Sequence, residues 1–180
     1  MDMSTHVIRL VSSSFYPLRI VRAIYRRSIL AIQLINNLVI SRIGYCNSLL
    51  AGLPASQMER NHFILNYTVR IISGRRKYNH VSPFLRNKLH WLLVPQRVKF
   101  KCCLLVYKAL HGQEPTYIRQ FCTKVTEVQQ CSTLRSATHN LFILPRSKTK
   151  FGHCSFSVVG SSTWNSLPDD IRASPSPIVF

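Results

Sequence analysis

Residues 90–112, HWLLVPQRVKFKCCLLVYKALHG, constrain the fold more than any other part of the sequence. Pro95 presets the backbone angle of a first helical turn and Gly112 is a natural stop, so a helix is predicted between them. At 100° per residue, one narrow stripe of this helix carries Arg97, Lys101 and Lys108, with His111 at its edge. Apolar residues occupy much of the remaining surface. Such a helix needs neighbours on two sides and leaves a basic ridge for solvent or a polyanion.

Further helices are predicted on both sides, which makes the fold mainly α, a small helical bundle. They are residues 18–27 after Pro17, 29–43 after a Ser28 cap, a helix from Ser56 to Gly74 with Glu59 as its capping-box partner, 84–89 after Ser82-Pro83, and a turn or two from Pro115 to Phe121. Proline starts and glycine stops set most of these boundaries.

The sequence changes character at Thr123. Residues 123–139 are polar and without periodicity, residues 141–145 favour a short strand, and residues 151–159 favour either its partner in a short β-hairpin or a short helix. Asp169 is predicted to cap a last helical turn. We therefore predict a helical body over residues 1–122 and a basic, irregular C-terminal arm of mixed structure with a truncated tail over residues 123–180.

The charge balance is the strongest indication of function. The chain carries 24 Lys and Arg against 6 Asp and Glu, a formal net charge of +18. Repulsion on this scale is relieved most simply by a polyanion, and nucleic acid is the leading candidate. The alternatives are an anionic membrane surface and an acidic partner region. A hydrophobic content of 46% argues against wholesale disorder.

The cations recur on several predicted elements, and together they favour a surface that follows phosphates with little choice of sequence. Taken singly, each is typical of a solvated face. Trp91 and Trp164 could stack on bases, but their apolar surroundings favour the core. The predicted nucleic-acid-binding residues are Arg19, Arg22, Arg26, Arg75, Arg76, Lys77, Arg97, Lys101, Lys108, Arg146, Lys148 and Lys150.

The sequence shows no pattern of a catalytic, metal or cofactor site. The adjacent pair Asp169-Asp170 follows a proline and precedes a helical turn, a place typical of a helix N-terminus rather than of two-metal chemistry. The six cysteines lack zinc-ligand spacing and a disulfide framework, so reduced thiols in an intracellular protein, nuclear or cytoplasmic, are expected. The most apolar run, residues 29–43, is too short and too polar to span a bilayer.

Several stretches in register resemble one known region. RIGYCNSLLAGLP at residues 42–54, HVSP at 80–83 with LHWL at 89–92, YKAL at 107–110, and WNSLP at 164–168 are similar to successive blocks of LINE-type non-LTR retrotransposon polyproteins of the jockey-like and related groups. The order and spacing match over almost the whole chain.

The resemblance implies the thumb of a reverse transcriptase and the segment that follows it. In such enzymes this part is expected to grip template RNA or an RNA/DNA hybrid, while the catalytic aspartates of the RNA-directed DNA polymerase lie upstream in the palm. It implies a non-catalytic nucleic-acid-binding fragment, with the palm domain as a second partner. Gly44 stands where Asp is usual and Leu93 where Pro is usual. These departures leave an alternative: a structural or interaction fragment, a decayed transposon relic, with no independent activity.

Overall fold

A computed structural model describes residues 3–24, 29–45, 47–128 and 139–174, and these residues are mainly helical. The α-helices are α1 (Met3–Ile24), α2 (Ile29–Ile35), α3 (Ser41–Gly44), α4 (Ala55–Ser73), α5 (Ser82–Asn87), α6 (Val94–Leu110), α7 (Thr116–Gln120), α8 (Lys150–His153), α9 (Phe156–Asn165) and α10 (Asp169–Arg172). A π-helical turn, Asn36–Ile40, joins α2 to α3, and 3₁₀ turns occupy Asn47–Leu50 and Val125–Glu127. None of the described helices combines the length and apolarity needed to cross a membrane.

The chain forms two compact units, Met1–Arg97 and Val98–Phe180. The predicted division at residue 122 does not coincide with this one. The physical reason is that Val106 of α6 and Cys122 pack in one core with Trp164 of α9, so that residues on both sides of position 122 belong to the second unit.

The first unit is built on α1 and α4, which pack against each other and against α2. Apolar side chains spaced three or four residues apart supply the facing surfaces, as amphipathic helices require. Phe15 of α1 meets the rings of Phe63 and Tyr67 of α4, with centroids 6.5 and 5.8 Å away. Buried in the core of this unit are Leu18, Val21, Ala31, Ile35, Val39, Ile43, Ile64, Leu65, Val69, Ile71, Ile72, Val81, Leu85 and Val94.

The prediction for the first helix was wrong at its start. Pro17 lies inside α1 rather than at its beginning, because the buried face of the helix continues upstream of it at Val7 and Ser14. Proline removes one backbone N–H donor from a helix interior, and the long packed face offsets that loss. The predicted cap at Ser28 and the predicted cation Arg26 lie outside the described residues.

The boundaries of α4 and α6 match the predictions closely, with one error. Gly74 ends α4 in the left-handed conformation at φ 65°, and Gly112 follows α6 at φ 68°, a region that favours glycine. At the start of α4, however, the cap position is Pro54 and no side chain caps it. Helix formation begins one residue before the predicted cap Ser56, so that its hydroxyl is already in the first turn.

The second unit is organised around α9. Trp164 is fully buried, meets the ring of Phe142 edge-on at 6.0 Å and donates from Nε1 to the carbonyl of Asn140 at 2.9 Å. The next side chain, Asn165, accepts from the backbone N–H of Phe142 at 3.0 Å and donates to its C=O at 2.8 Å. One amide thus satisfies both backbone groups of Phe142, as a neighbouring strand would.

Of the two alternatives for residues 151–159, the helix is formed. Phe156 to Val159 lie in α9, and no hairpin is shown in the described residues. The segment around Phe142 finds another partner in an isolated antiparallel bridge with Lys124. Backbone N–H groups of Val125 and Ile143 donate across it to Leu141 and Thr123, at 3.0 and 2.9 Å.

Two adjacent thiols in α6 make the stability of the second unit dependent on pH. Burial raises the pKa of both Cys102 and Cys103 to about 11, and for Cys103 the neighbouring thiolate adds to the effect. The pKa of each thiol is higher in the folded state than in the unfolded state, where it is about 8.5. The contribution of the two neutral thiols to the free energy of unfolding is therefore complete below the unfolded pKa. It is lost as the pH rises through about 11.

We therefore expect the free energy of unfolding to fall between about pH 8.5 and 11, and less steeply in the double variant Cys102→Ala/Cys103→Ala. Urea unfolding of both proteins at a series of pH values measures the difference. The rest of the chain is identical in both proteins, so only the difference between the curves counts. Parallel curves would show that burial does not hold the two thiols neutral.

Candidate nucleic-acid interface

The cations are divided unevenly between the two units. Of the 24 Lys and Arg, 14 fall within residues 1–97, against only two acids, Asp2 and Glu59. Residues 98–180 carry the other 10 cations and four acids. The first unit therefore holds two thirds of the net charge, a distribution that favours a polyanion on its surface.

The second unit neutralises part of its own charge. Lys108 Nζ lies 3.3 Å from Glu114 Oε1, and Arg119 pairs with Glu127 at 4.0 Å. Asp169 pairs with Arg172. In the described part of the first unit, by contrast, no Lys or Arg side chain forms an ion pair with a carboxylate.

A groove of about 320 Å³ opens on the first unit. One wall is a stripe of α4 at spacings of four, three, one and three residues, which places these positions on one helical face. The stripe consists of Phe63, Tyr67, Arg70, Ile71 and Gly74. The other walls come from α1 and from the loop that follows α4. Apolar and aromatic side chains thus form much of the walls of the groove, with cations beside them.

Four cations surround this groove: Arg22, Arg70, Arg75 and Lys77. Arg22 donates from Nη1 to the Tyr67 hydroxyl at 3.3 Å, which joins α1 to α4. Arg75 donates to the carbonyl of His80 at 2.7 Å and lies 5.6 Å from the Phe84 ring centroid. No carboxylate is among the described lining residues, so no negative side chain there competes with an external anion for the four cations.

Three of the predicted binding residues, Arg22, Arg75 and Lys77, therefore meet in one place. Arg19 and Arg76 are exposed close to them in sequence but do not line the groove.

Arg97 is held differently. Its Nε donates to the Leu92 carbonyl at 2.9 Å, its guanidinium lies 5.9 Å from the Trp91 ring centroid, and burial lowers its pKa. These contacts give Arg97 a structural role, and its predicted phosphate contact stays a prediction.

The predicted residues of the second unit are spread over separate segments. Lys101, Arg146 and Lys148 are exposed, whereas Lys108 is partly buried in its pair with Glu114. The side chain of Lys150 lies outside the described residues.

The Asp169 carboxylate at the start of α10 has a structural role. The predicted cap at Asp169 was wrong by one position, because the cap residue is Pro168 and Asp169 is the first helical residue. Its carboxylate accepts from Arg172 within α10 and lies 2.9 Å from His139 Nδ1, and the second of these contacts ties α10 to the segment before α8. Among the described residues, no group of three His, Cys, Asp or Glu side chains could hold a metal ion.

Five described residues of the groove were not among the predicted binding residues: Phe63, Tyr67, Arg70, Ile71 and Gly74. The spacing of Phe63, Ile64, Tyr67 and Ile71 predicts an apolar helical face. Ile64 and Ile71 are buried, but Phe63 is 56% exposed. Arg70 was not singled out at all. Its position seven residues after Phe63 and four before Gly74, on the same helical face, is the signal that could have found it.

No protein-family model, curated protein or solved structure matches this chain. The function is therefore inferred from the groove, the charge distribution and the sequence resemblance.

Proposed function

We propose that the chain binds nucleic acid through the phosphate backbone, chiefly with the basic surface of residues 1–97, and that it performs no catalysis itself. The observation that carries the proposal is the excess of cations in the first unit, where no described Lys or Arg side chain pairs with a carboxylate. Binding would release the counterions condensed on the nucleic acid, a gain that does not depend on base sequence.

The sequence resemblance to LINE-type reverse transcriptases favours template RNA or an RNA/DNA hybrid as the natural ligand. In that setting the chain corresponds to the thumb region and grips the duplex for a palm domain that supplies the chemistry. The resemblance is the only support for this origin, and the phosphate-binding proposal does not depend on it.

The proposal predicts binding with little sequence preference. At about 50 mM salt, filter binding should give dissociation constants within a few fold of one another for unrelated DNA duplexes and RNA/DNA hybrids of equal length. A neutral peptide-nucleic-acid duplex of the same sequence is the control, because it has bases but no phosphates. Absence of binding to any charged duplex, or equal binding to the neutral one, would overturn the proposal.

A second function, docking on another protein domain, is favoured by apolar side chains on the first unit. Ile24 is 66% exposed and Leu30 is 55% exposed, and both lie close to the junction of α1 and α2. Isolated exposed apolar residues are common in soluble proteins, so this observation ranks below the charge excess.

Docking through this surface would be independent of salt, unlike phosphate binding. The double variant Ile24→Ser/Leu30→Ser tests this docking function through self-association and through binding to a reverse-transcriptase palm domain. If neither changes, docking through this surface is excluded.

A further inference from the structure

We propose that the groove between α1 and α4 takes one unpaired nucleotide of a strand, with its base stacked on Phe63 and its phosphate among the surrounding guanidinium groups. The inference rests on the proposed function and goes beyond it. A general phosphate-binding surface has no preference for unpaired strands, whereas this groove would create one.

The shape of the site fits a planar ligand that must be taken out of a duplex. The groove encloses about 320 Å³, within the size of sites that hold small organic molecules (from about 300 Å³). A paired base is stacked on both faces and could not enter it. An unpaired base presents two π-faces, and any of the four bases can stack.

Phe63 supplies the stacking surface. Its side chain is 56% exposed, although one edge is supported by Phe15, whose ring centroid is 6.5 Å away. Tyr67 is held beside it by the same Phe15 and by the hydrogen bond from Arg22. The aromatic wall is thus positioned before any ligand arrives, which reduces the entropy lost on binding.

The cations around the aromatic wall supply the anion site. Arg70 is partly buried one turn from Tyr67, and its Nε is buried without a hydrogen-bond partner. A phosphate oxygen would satisfy a guanidinium in the geometry that arginine prefers. Arg75 and Lys77 at the end of α4 can hold the neighbouring phosphates of the same strand. The combination of an aromatic wall and adjacent cations is the arrangement that binds single strands without sequence choice.

The test compares one oligonucleotide as a single strand and as a blunt duplex, with 2-aminopurine as the fluorescent base. Stacking on Phe63 should quench the single-stranded probe on binding and leave the paired probe unchanged. Phe63→Ala should weaken single-strand binding about tenfold and abolish the quench, while duplex affinity stays the same. Phe121→Ala is the matched control, because Phe121 is exposed to a similar extent (52%) and lies outside the groove.

Phe63→Leu guards against a folding artefact, since leucine keeps apolar packing against Phe15 but has no flat ring. Phe63→Leu should reproduce the loss of single-strand affinity expected for Phe63→Ala. Adenosine monophosphate separates a strand site from a nucleotide site: competition at the affinity of the oligonucleotide would overturn assignment to a strand.

Equal losses for single strand and duplex in both Phe63 variants, or no loss in either, would overturn the groove assignment while the proposed function stands. Absence of binding to both forms of the oligonucleotide by the unaltered chain would instead overturn the proposed function.

Discussion

Replacing Arg75, Arg76 and Lys77 together by glutamine is expected to weaken duplex binding by a hundredfold or more at about 0.1 M salt. Each cation that contacts a phosphate contributes about −0.9 to the slope of log affinity against log salt concentration, so the slope should become shallower by nearly 3. The loop carries three consecutive cations, all exposed, at the end of α4. Titration of the variant by filter binding at several salt concentrations measures both quantities.

The control removes the same charge from the second unit, with Lys101→Gln, Arg146→Gln and Lys148→Gln, all at exposed positions. It should change affinity and slope much less. Because Arg75 also bonds to the His80 carbonyl, the double variant Arg76→Gln/Lys77→Gln distinguishes lost charge from a displaced loop. It should keep about two thirds of the change in slope. Equal losses from the two units would contradict assignment of the binding surface to the first unit.

Trp164→Ala is expected to destabilise the second unit by about 3–5 kcal/mol, the usual cost of removing a large buried aromatic residue. Trp164 is fully buried, packs edge-on against Phe142 and donates to the Asn140 carbonyl. Since whole domains are stable by only about 5–15 kcal/mol, this loss is a large fraction of the total stability. Urea unfolding followed by circular dichroism measures the change.

Trp164→Phe is the companion variant. It keeps much of the apolar volume but loses the indole N–H with part of the ring, so the expected cost is about 1–3 kcal/mol, chiefly from the unsatisfied Asn140 carbonyl. Similar unfolding free energies for the alanine variant and the unaltered protein would show that the core does not depend on this side chain.

The sequence predicted the helices whose ends are marked by local chemistry. Gly74 and Gly112 stop α4 and α6 because both adopt positive φ, and Pro95 lies in the first turn of α6. It failed where packing decided the outcome. The local pattern predicts a helix start at Pro17, although the face formed by Val7 and Leu18 extends α1 on both sides of it.

The second unit shows the same limit. The strand-like character of residues 141–145 was recognised, but its partners are distant in the sequence. Phe142 pairs with Lys124 on one side and with the Asn165 side chain on the other. Neither partner belongs to a periodic pattern in the sequence. A β-hairpin would instead pair residues 141–145 with residues 151–159, the next candidate segment in the sequence.

Three of the eight described residues that line the groove could be anticipated and the others could not. Charge alone identified Arg22, Arg75 and Lys77, because clustered cations are visible in a sequence. Phe63 was missed because an aromatic residue on a helix normally belongs to the core, and Arg70 because it is a single cation in an otherwise apolar stretch. Only the packing of α1 on α4 distinguishes core positions from groove positions on this helix, because it buries Ile64 and leaves Phe63 exposed.

The salt dependence of binding by the unaltered chain tests the central claim most directly. Six cations of the first unit are in or beside the groove and the loop: Arg19, Arg22, Arg70, Arg75, Arg76 and Lys77. If they contact phosphates, log affinity for a duplex against log salt should have a slope of about −5, a loss of about a thousandfold between 50 and 200 mM. A slope near zero, with or without measurable affinity at the lowest salt, would contradict the account.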